Sequence, residues 1–155
     1  MYTIKDHIYT KETGKYGKSL FAARDFKKGE LVFIVFGPLI TNTTTYTIPI
    51  SEDLKIDPTQ PEGNICQFIC HSCEPNLGIK NRTYFVAMRD IKKDEEVFID
   101  YAMIGYEYGN EITEEERRCK CNTKTCRGVM GCYKELPEEL RRKYKGYISD
   151  YLLAK

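Results

Sequence analysis

The chain has 155 residues, enough to bury one hydrophobic core but too few for two domains. Its 24 Lys and Arg residues nearly balance 23 Asp and Glu residues, so no strong overall field would attract nucleic acid or a membrane surface. The first residues lack the apolar core of a signal peptide, and no stretch approaches the roughly 18 apolar residues of a membrane span. We therefore expect a soluble, intracellular protein, and the sequence favours neither cytoplasm nor nucleus.

The first 40 residues contain two short apolar runs, at 20–23 and 31–36. A turn-like stretch with Gly29 separates them, and Gly37-Pro38 closes the second run. Short runs rich in Val, Ile and Phe between turn signals predict β-strands.

Residues 41–63 are polar and are interrupted by three prolines. Only the piece at 46–48 resembles a strand, so we expect a connecting insert with little helix. Strand-like runs return at 65–69, 83–88 and 96–100, and β signals therefore dominate the chain as far as Tyr101.

The C-terminal part has a different character, with a charged run at 111–118 followed by a cysteine cluster. Beyond Pro137, apolar residues recur every three or four positions: Leu140, Tyr144, Tyr147, Ile148, Tyr151 and Leu152. This spacing predicts one amphipathic helix, or two short helices broken at Gly146. The apolar face is expected to pack on the domain, to form a homodimer contact or to line a peptide groove.

Seven cysteines and no secretion signal favour metal ligation or buried thiols over disulfides. Cys119, Cys121 and Cys126 lie within eight positions, and a tight loop can aim all three at one zinc ion. A tetrahedral site needs a fourth ligand, either the nearby Cys132 or the distant Cys73, and spacing alone does not choose between them. Cys66 is expected to pack in the core.

Several segments together resemble one protein family. Residues 70–76 read Cys-His-Ser-Cys-Glu-Pro-Asn and resemble the Asn-His-Ser-Cys-x-Pro-Asn signature of SET-domain lysine methyltransferases, and 94–101 resemble their Gly-Glu-Glu-x-x-x-Asp-Tyr segment. Residues 17–22 resemble the Gly-x-Gly-Leu-Phe-Ala opening, Phe36-Gly37 the following turn, and the cysteine cluster the post-SET zinc motif. These motifs occur in the family's order between about residues 14 and 132, and the chain is identified as a member of this family.

The resemblance implies several small twisted sheets around a pseudoknot-like threaded C-terminal segment. Together with the helical tail predicted from spacing, the expected fold is mainly β with short helices. We expect a SET domain at 1–110 with a short insert at about 41–63, a post-SET zinc segment at 111–132 and the tail at 133–155. In the family the fourth zinc ligand is the cysteine that corresponds to Cys73, which leaves Cys132 as the reserve candidate.

The activity implied by the resemblance is transfer of a methyl group from S-adenosylmethionine to a lysine side chain of a histone or another protein. Tyr101 corresponds to the catalytic tyrosine, although outside this match it would be interpreted as a packed aromatic residue. Ile99 corresponds to a residue of the substrate channel that helps to set how many methyl groups are added, and an aliphatic side chain there predicts di- or trimethylation.

The resemblance also implies where the cofactor binds: Tyr16, Gly17, Lys18, Ser19, Tyr46, Cys70 and His71. Two of these positions depart from the family pattern, because Ser19 replaces a glycine and Cys70 replaces an asparagine. His71 is expected to have a structural and adenine-contacting role rather than to transfer protons.

Two other functions compete with this interpretation. The departures at Ser19 and Cys70 suit a catalytically silent SET domain that serves as a zinc-stabilised interaction module. A zinc-knuckle protein that binds nucleic acid is supported only by Lys120, Lys124 and Arg127, and the near-zero net charge disfavours it. The partner we expect is a protein or peptide that carries the target lysine.

Overall fold

The computed structural model describes residues 2–155, in which ten short strands form three small sheets. The strands are β1 (Ile8–Glu12), β2 (Lys18–Ala22), β3 (Leu31–Ile34), β4 (Leu39–Ile40), β5 (Ile48–Pro49), β6 (Lys55–Ile56), β7 (Cys70–His71), β8 (Leu77–Lys80), β9 (Tyr84–Ala87) and β10 (Phe98–Ile99). One α-helix, α1 (Glu138–Lys143), lies in the tail, and the 3-10 helices are Ile4–Asp6, Ile65–Phe68, Tyr101–Met103, Tyr133–Glu135 and Asp150–Ala154. The predicted mainly β class with short helices is confirmed. Residue 1, where the predicted SET segment begins, lies outside the described residues.

The two smaller sheets belong to the N-terminal part of the chain. Strands β1 and β2 form an antiparallel hairpin that buries Ile8 and Leu20. The insert forms the second sheet, in which β6 lies between β4 and β5. Gly37 precedes β4 with φ +155, and a Cβ there would overlap the Asp57 carbonyl. The two ends of the second sheet, before β4 and after β6, therefore approach each other at a position where only glycine fits.

The largest sheet has the strand order β3-β9-β8-β10-β7 and contains most of the core. Phe33 of β3 stacks on Phe85 of β9 with ring centroids 4.5 Å apart, and both side chains are fully buried. The apolar runs at 31–36 and 83–88 thus contain neighbouring strands, and each contributes a side chain to the same layer of the core.

Strand β10 occupies a threaded position. It lies between β7 and β8, parallel to both, with Ile99 opposite His71 on one side and Leu77 on the other. Strands β7 and β8 are joined by the short connection 72–76, so a later part of the chain has passed between two strands that are adjacent in sequence. This is the threaded arrangement that the family resemblance implies, and it places Tyr101 two residues beyond the end of β10.

Residues 65–69 were predicted to form a strand, and this prediction is wrong. The Asn64 side chain accepts a hydrogen bond from the Cys66 amide at 3.0 Å and begins the 3-10 helix Ile65–Phe68 instead. The Asn64 amide group also donates to the carbonyls of Phe36 and Gln60. The apolar run is compatible with either structure, and the cap decides between them. Cys66 is fully buried, as expected for a core thiol.

Beyond Pro137 the tail forms α1 and the 3-10 helix Asp150–Ala154, which are separated at Gly146 with φ +86. Tyr144, Ile148 and Leu152 are buried against the domain. The Tyr147 carbonyl accepts a hydrogen bond from the Ile79 amide of β8 at 3.0 Å. Of the three predicted uses for this apolar face, packing on the domain is therefore the one that the structure shows.

Candidate active site and metal centre

A cavity of about 500 Å³ opens between segments that are distant in sequence. Its walls come from 16–18, the insert at 43–49, the stretch 67–70, the Tyr101 turn and the region beyond this turn. The volume lies within the roughly 300–1,000 Å³ that is usual for small-molecule sites. The residues predicted for cofactor binding or catalysis that line it are Tyr16, Gly17, Lys18, Tyr46, Cys70 and Tyr101.

The other three predicted residues lie behind the cavity walls. Ser19 and Ile99 are fully buried, and His71 is 8% exposed. Ser19 points into the interior from β2, and its hydroxyl oxygen has no hydrogen-bond partner among the described residues. The serine that replaces the family's glycine therefore adds no side chain to the cavity surface.

The backbone at Gly17 is suited to a closely bound ligand. Its φ of +87 lies in the left-handed region that favours glycine, and nothing lies within 4 Å of the position that a Cβ would take. The neighbouring Tyr16 hydroxyl donates to the Glu96 carboxylate at 2.6 Å, which holds this ring at the cavity wall. The Cys70 thiol lies 3.8 Å from the Lys18 carbonyl and 3.5 Å from that of Phe68, so it bridges the same wall. These residues fit a ligand such as S-adenosylmethionine.

Tyr101 is fixed at both its backbone and its side chain. Its hydroxyl donates to the Ile69 carbonyl at 2.8 Å, and its amide donates to His71 Nδ1 at 3.1 Å. Burial is the main cause that raises the pKa of the phenol, and the nearby Cys70 and Tyr108 groups raise it further. The site therefore holds a neutral phenol against a backbone carbonyl at the cavity wall.

His71 joins the Tyr101 backbone to the cysteine cluster. Burial lowers the pKa of His71 to about 4, so the imidazole is neutral near pH 7. Because Nδ1 accepts from the Tyr101 amide, the proton is assigned to Nε2, which lies 3.4 Å from the Cys73 sulfur. Both ring nitrogens of His71 therefore have partners within the fold.

Asp100 is a buried carboxylate that sequence reasoning did not single out. It is fully buried, and its oxygens accept two hydrogen bonds from Arg127 Nη2, at 2.9 and 2.7 Å. It also accepts from the Tyr144 hydroxyl at 3.0 Å. The sequence contained only weak indications of this contact. Asp100 lies inside a recognised motif, and Arg127 directly follows a predicted zinc ligand. Tyr144 was interpreted only as part of an apolar helix face.

Tyr108 is a second residue that the sequence did not indicate. It lines the cavity, and the Arg117 guanidinium lies 4.4 Å from the centre of its ring. Burial raises the pKa of its phenol. No motif covers this stretch of sequence, so only the folded chain shows that it faces the cavity.

The four cysteines Cys73, Cys119, Cys121 and Cys126 come together, with all their sulfur atoms within 4.8 Å of one another. The sulfur atoms of Cys73 and Cys119 are 3.8 Å apart, close to the edge of a tetrahedron with zinc–sulfur bonds of about 2.3 Å. Burial raises the pKa of the Cys73 and Cys119 thiols, and the neighbouring thiolates raise it further. A divalent cation at the centre would favour the thiolate forms, so the residues fit a zinc ion.

Cys132 lies outside this cluster. Its side chain is buried at the 500 Å³ cavity instead, near Glu135 and Arg117. The segment that carries Cys119, Cys121 and Cys126 folds back onto Cys73, which follows β7 in the domain core.

No helix in residues 2–155 is long and apolar enough to cross a membrane. The fold and the cavity are consistent with the family that the motifs resemble, since the threaded strand β10 leads through Asp100 to a tyrosine at the cavity wall. Comparison of sequences agrees: the family described as SET domain matches residues 17–102, more than half of the chain. The chain belongs to the SET domain family.

Relatives of the chain include histone-lysine methyltransferases of insects and fungi. It is 31% identical over 150 residues to the histone-lysine N-methyltransferase trithorax of Drosophila virilis, a match that covers 83% of this chain and 4% of that protein. It is 33% identical over 95 residues to the H3 lysine-4 specific histone-lysine N-methyltransferase of Saccharomyces cerevisiae, covering 56% of this chain and 8% of the relative. The corresponding Schizosaccharomyces pombe enzyme is 30% identical over 135 residues, covering 72% and 14%. The chain thus spans only a small part of the length of these relatives.

Proposed function

We propose that this chain is a protein-lysine N-methyltransferase that uses S-adenosylmethionine. The observation that carries the proposal is the Tyr101 phenol, which shares one cavity with the open backbone of Gly17 and the thiol of Cys70. When bound, S-adenosylmethionine supplies an electrophilic methyl group for direct transfer to an amine. The residues of the chain then have to orient a neutral lysine amine and exclude water.

Tyr101 is placed to orient that amine. Its hydroxyl donates to the Ile69 carbonyl, so the phenol oxygen keeps lone pairs that can accept an N–H of the substrate. Since the pKa of the phenol is raised, the residue carries no negative charge that would favour the ammonium form of the lysine. The apolar side chains of Ile48, Phe68 and Ile104 also line the cavity, and desolvation there lowers the pKa of a bound lysine.

The test uses purified protein, radiolabelled S-adenosylmethionine, and a panel of histones and cell lysates. We expect the wild-type chain to transfer label to protein and Tyr101→Phe to lose at least about 100-fold in rate, a loss of the size seen for positioned catalytic groups. Tyr9→Phe is the matched control, because the Tyr9 hydroxyl binds Asp94 on the surface, away from the cavity.

Cofactor binding is measured in parallel by calorimetry. Tyr101→Phe should bind S-adenosylmethionine as the wild type does. If the wild-type chain binds the cofactor but labels nothing, the proposal fails in favour of a silent interaction module. If Tyr101→Phe turns over as fast as the wild type, Tyr101 does not orient the lysine amine.

We infer that Cys73, Cys119, Cys121 and Cys126 hold a structural zinc ion. Support comes from the four converging sulfur atoms and from two amide donors, because the amides of Arg127 and Gly128 each lie 3.4 Å from a cluster sulfur. The metal would join the SET domain of 1–110 to a zinc segment at 111–132, and the tail at 133–155 would form a third segment. Loaded with zinc, the site would supply folding energy rather than reaction chemistry.

The substrate we propose is a histone or another protein with an accessible lysine. The relatives named above are histone-lysine methyltransferases, and this supports a histone tail as the first substrate to test. It also supports a search for the protein in the nucleus, although the sequence favours no compartment.

We propose that Ile99 permits di- or trimethylation. It ends β10 two residues before Tyr101 and is fully buried. It therefore places an aliphatic side chain with no hydroxyl beside the 3-10 helix Tyr101–Met103, the catalytic turn. Mass spectrometry after exhaustive reaction should show di- or trimethyl-lysine. A wild-type product that stops at one methyl group would contradict the proposal.

A further inference from the structure

The carboxylate of Asp100 controls how the Tyr101 turn begins. It directly precedes Tyr101, and its Oδ1 accepts a hydrogen bond from the Ala102 amide at 3.0 Å, which caps the 3-10 helix Tyr101–Met103. A capping carboxylate fixes the first residues of the turn that it closes. Any shift of the Asp100 side chain therefore changes the start of the turn that carries the Tyr101 phenol.

Two distant segments hold this carboxylate in the protein interior. Arg127, from the segment of the cysteine cluster, donates Nη2 to both oxygens, and Tyr144, from the tail, donates its hydroxyl to Oδ2 at 3.0 Å. Asp100 and Tyr144 are both fully buried. A buried carboxylate depends on such donors because no water replaces a lost one.

The Tyr144 hydroxyl reaches Asp100 because the tail is docked on both sides of it. Arg141 precedes it and donates Nη2 at 3.0 Å to the carbonyl of Tyr133, whose own amide donates to the Gly105 carbonyl of the domain at 2.8 Å. After it, the amide of Ser149 donates to the Met103 carbonyl at 2.9 Å. Met103 ends the same 3-10 helix that Asp100 caps, so the tail contacts both ends of the catalytic turn.

We propose that Tyr144 is a positioning residue for Tyr101 and acts through Asp100. The inference rests on the proposed methyltransferase function and extends its machinery into the tail, beyond the matched residues 17–102. Without the Tyr144 hydroxyl, Oδ2 loses its donor from the tail and keeps the one from Arg127, so the carboxylate shifts toward Arg127. The turn then rotates, and a displacement of about 1 Å at a positioned group can slow a reaction by roughly 100-fold.

The experiment compares Tyr144→Phe with Tyr151→Phe in the full chain loaded with zinc. Both variants lose one tail hydroxyl and keep the ring, but Tyr151 donates at 2.7 Å to the carbonyl of Ile104, which follows the turn, and not to Asp100, which begins it. The comparison therefore separates the Asp100 contact from any other contact between the tail and the turn. For each protein, kcat, the peptide KM and the cofactor Kd are measured, and kcat is expressed per cofactor-binding site so that only folded molecules count.

We expect kcat of Tyr144→Phe to fall roughly tenfold or more, with its cofactor Kd unchanged, while Tyr151→Phe keeps the wild-type kcat. Wild-type kcat in Tyr144→Phe would refute the inference, and so would an equal fall in both variants, which would indicate general loosening of the tail. If the wild-type chain binds cofactor and transfers no methyl group, the proposed function itself fails, and this inference with it.

Discussion

Two hydrogen bonds hold Tyr101, one at its hydroxyl and one at its amide. The partners, the Ile69 carbonyl and His71 Nδ1, both lie at the β7 strand, so the tyrosine is fixed relative to the strand that borders the cavity. The residue thus combines a set orientation with a phenol that burial keeps protonated. Both properties suit a group that accepts from a neutral amine.

The raised pKa of Tyr101 leads to a prediction about the pH dependence of activity. Only a neutral lysine reacts, so kcat/KM should rise from pH 7 toward the lysine pKa of about 10.4. Because the pKa of Tyr101 is above its ordinary value of 10.0, its ionisation should cause no fall in rate below pH 10. Initial rates with a lysine peptide across this range test the expectation.

The same raised pKa affects stability with a defined sign. The neutral phenol stabilises the fold fully below the unfolded pKa of about 10, and this contribution is lost as pH rises toward the folded pKa. Circular dichroism at each pH is therefore the control. A descending limb near pH 9 in protein that is still folded would contradict the prediction.

At the scale of elements, the tail behaves as an additional layer over the large sheet. Its break at Gly146 lets Tyr144 point toward Asp100 while Tyr147 lies against Gly78 of β8. A Cβ at Gly78 would overlap the Tyr147 side chain, so the strand and the tail are in close contact at this point.

We predict that Gly78→Ala loosens the tail. The added methyl group has to displace Tyr147, and overpacking of this kind costs about 1–3 kcal/mol. Urea unfolding should show a lower free energy of unfolding, and hydrogen exchange should increase in residues 144–154. Gly105→Ala is the control, because a Cβ there meets only Pro49 Cγ at 4.0 Å. Equal stability of the two variants would show that the tail does not depend on this contact.

At the scale of the whole molecule, the cysteine cluster connects parts of the chain that are far apart. Cys73 belongs to the connection threaded by β10, and Cys126 immediately precedes the arginine that binds Asp100. A metal at the cluster would therefore hold Arg127 against the catalytic turn, linking metal binding to activity through this ion pair.

We predict that removing the metal lowers both activity and melting temperature, and that added zinc restores them. Metal content measured by mass spectrometry should be one zinc per chain in the wild type. Cys121→Ser should lose the metal, whereas Cys132→Ser should keep it because Cys132 lies outside the cluster. Full turnover after complete metal removal would disprove the coupling, and loss of zinc from Cys132→Ser would contradict the ligand set.

Short-range patterns in the sequence were sufficient for part of this structure. The apolar runs at 31–36 and 83–88 form strands, and the break at Gly146 was one of two alternatives for the tail. The run at 65–69 was misassigned because a capping side chain, Asn64, outweighed strand propensity. Periodicity indicates which residues are buried, and it does not indicate which local hydrogen bonds the segment makes.

The sequence alone determined the mainly β class, the family motifs, Tyr101 as the catalytic candidate and a cluster of three neighbouring thiols. Spacing left the fourth thiol open, the family resemblance favoured Cys73 over Cys132, and the structure brings Cys73 to the other three. Only the tertiary structure decided that Asp100 is bound by Arg127 and Tyr144. The physical reason is separation along the chain: these partners lie 27 and 44 residues beyond Asp100, and no local pattern specifies which distant donor a buried carboxylate will meet.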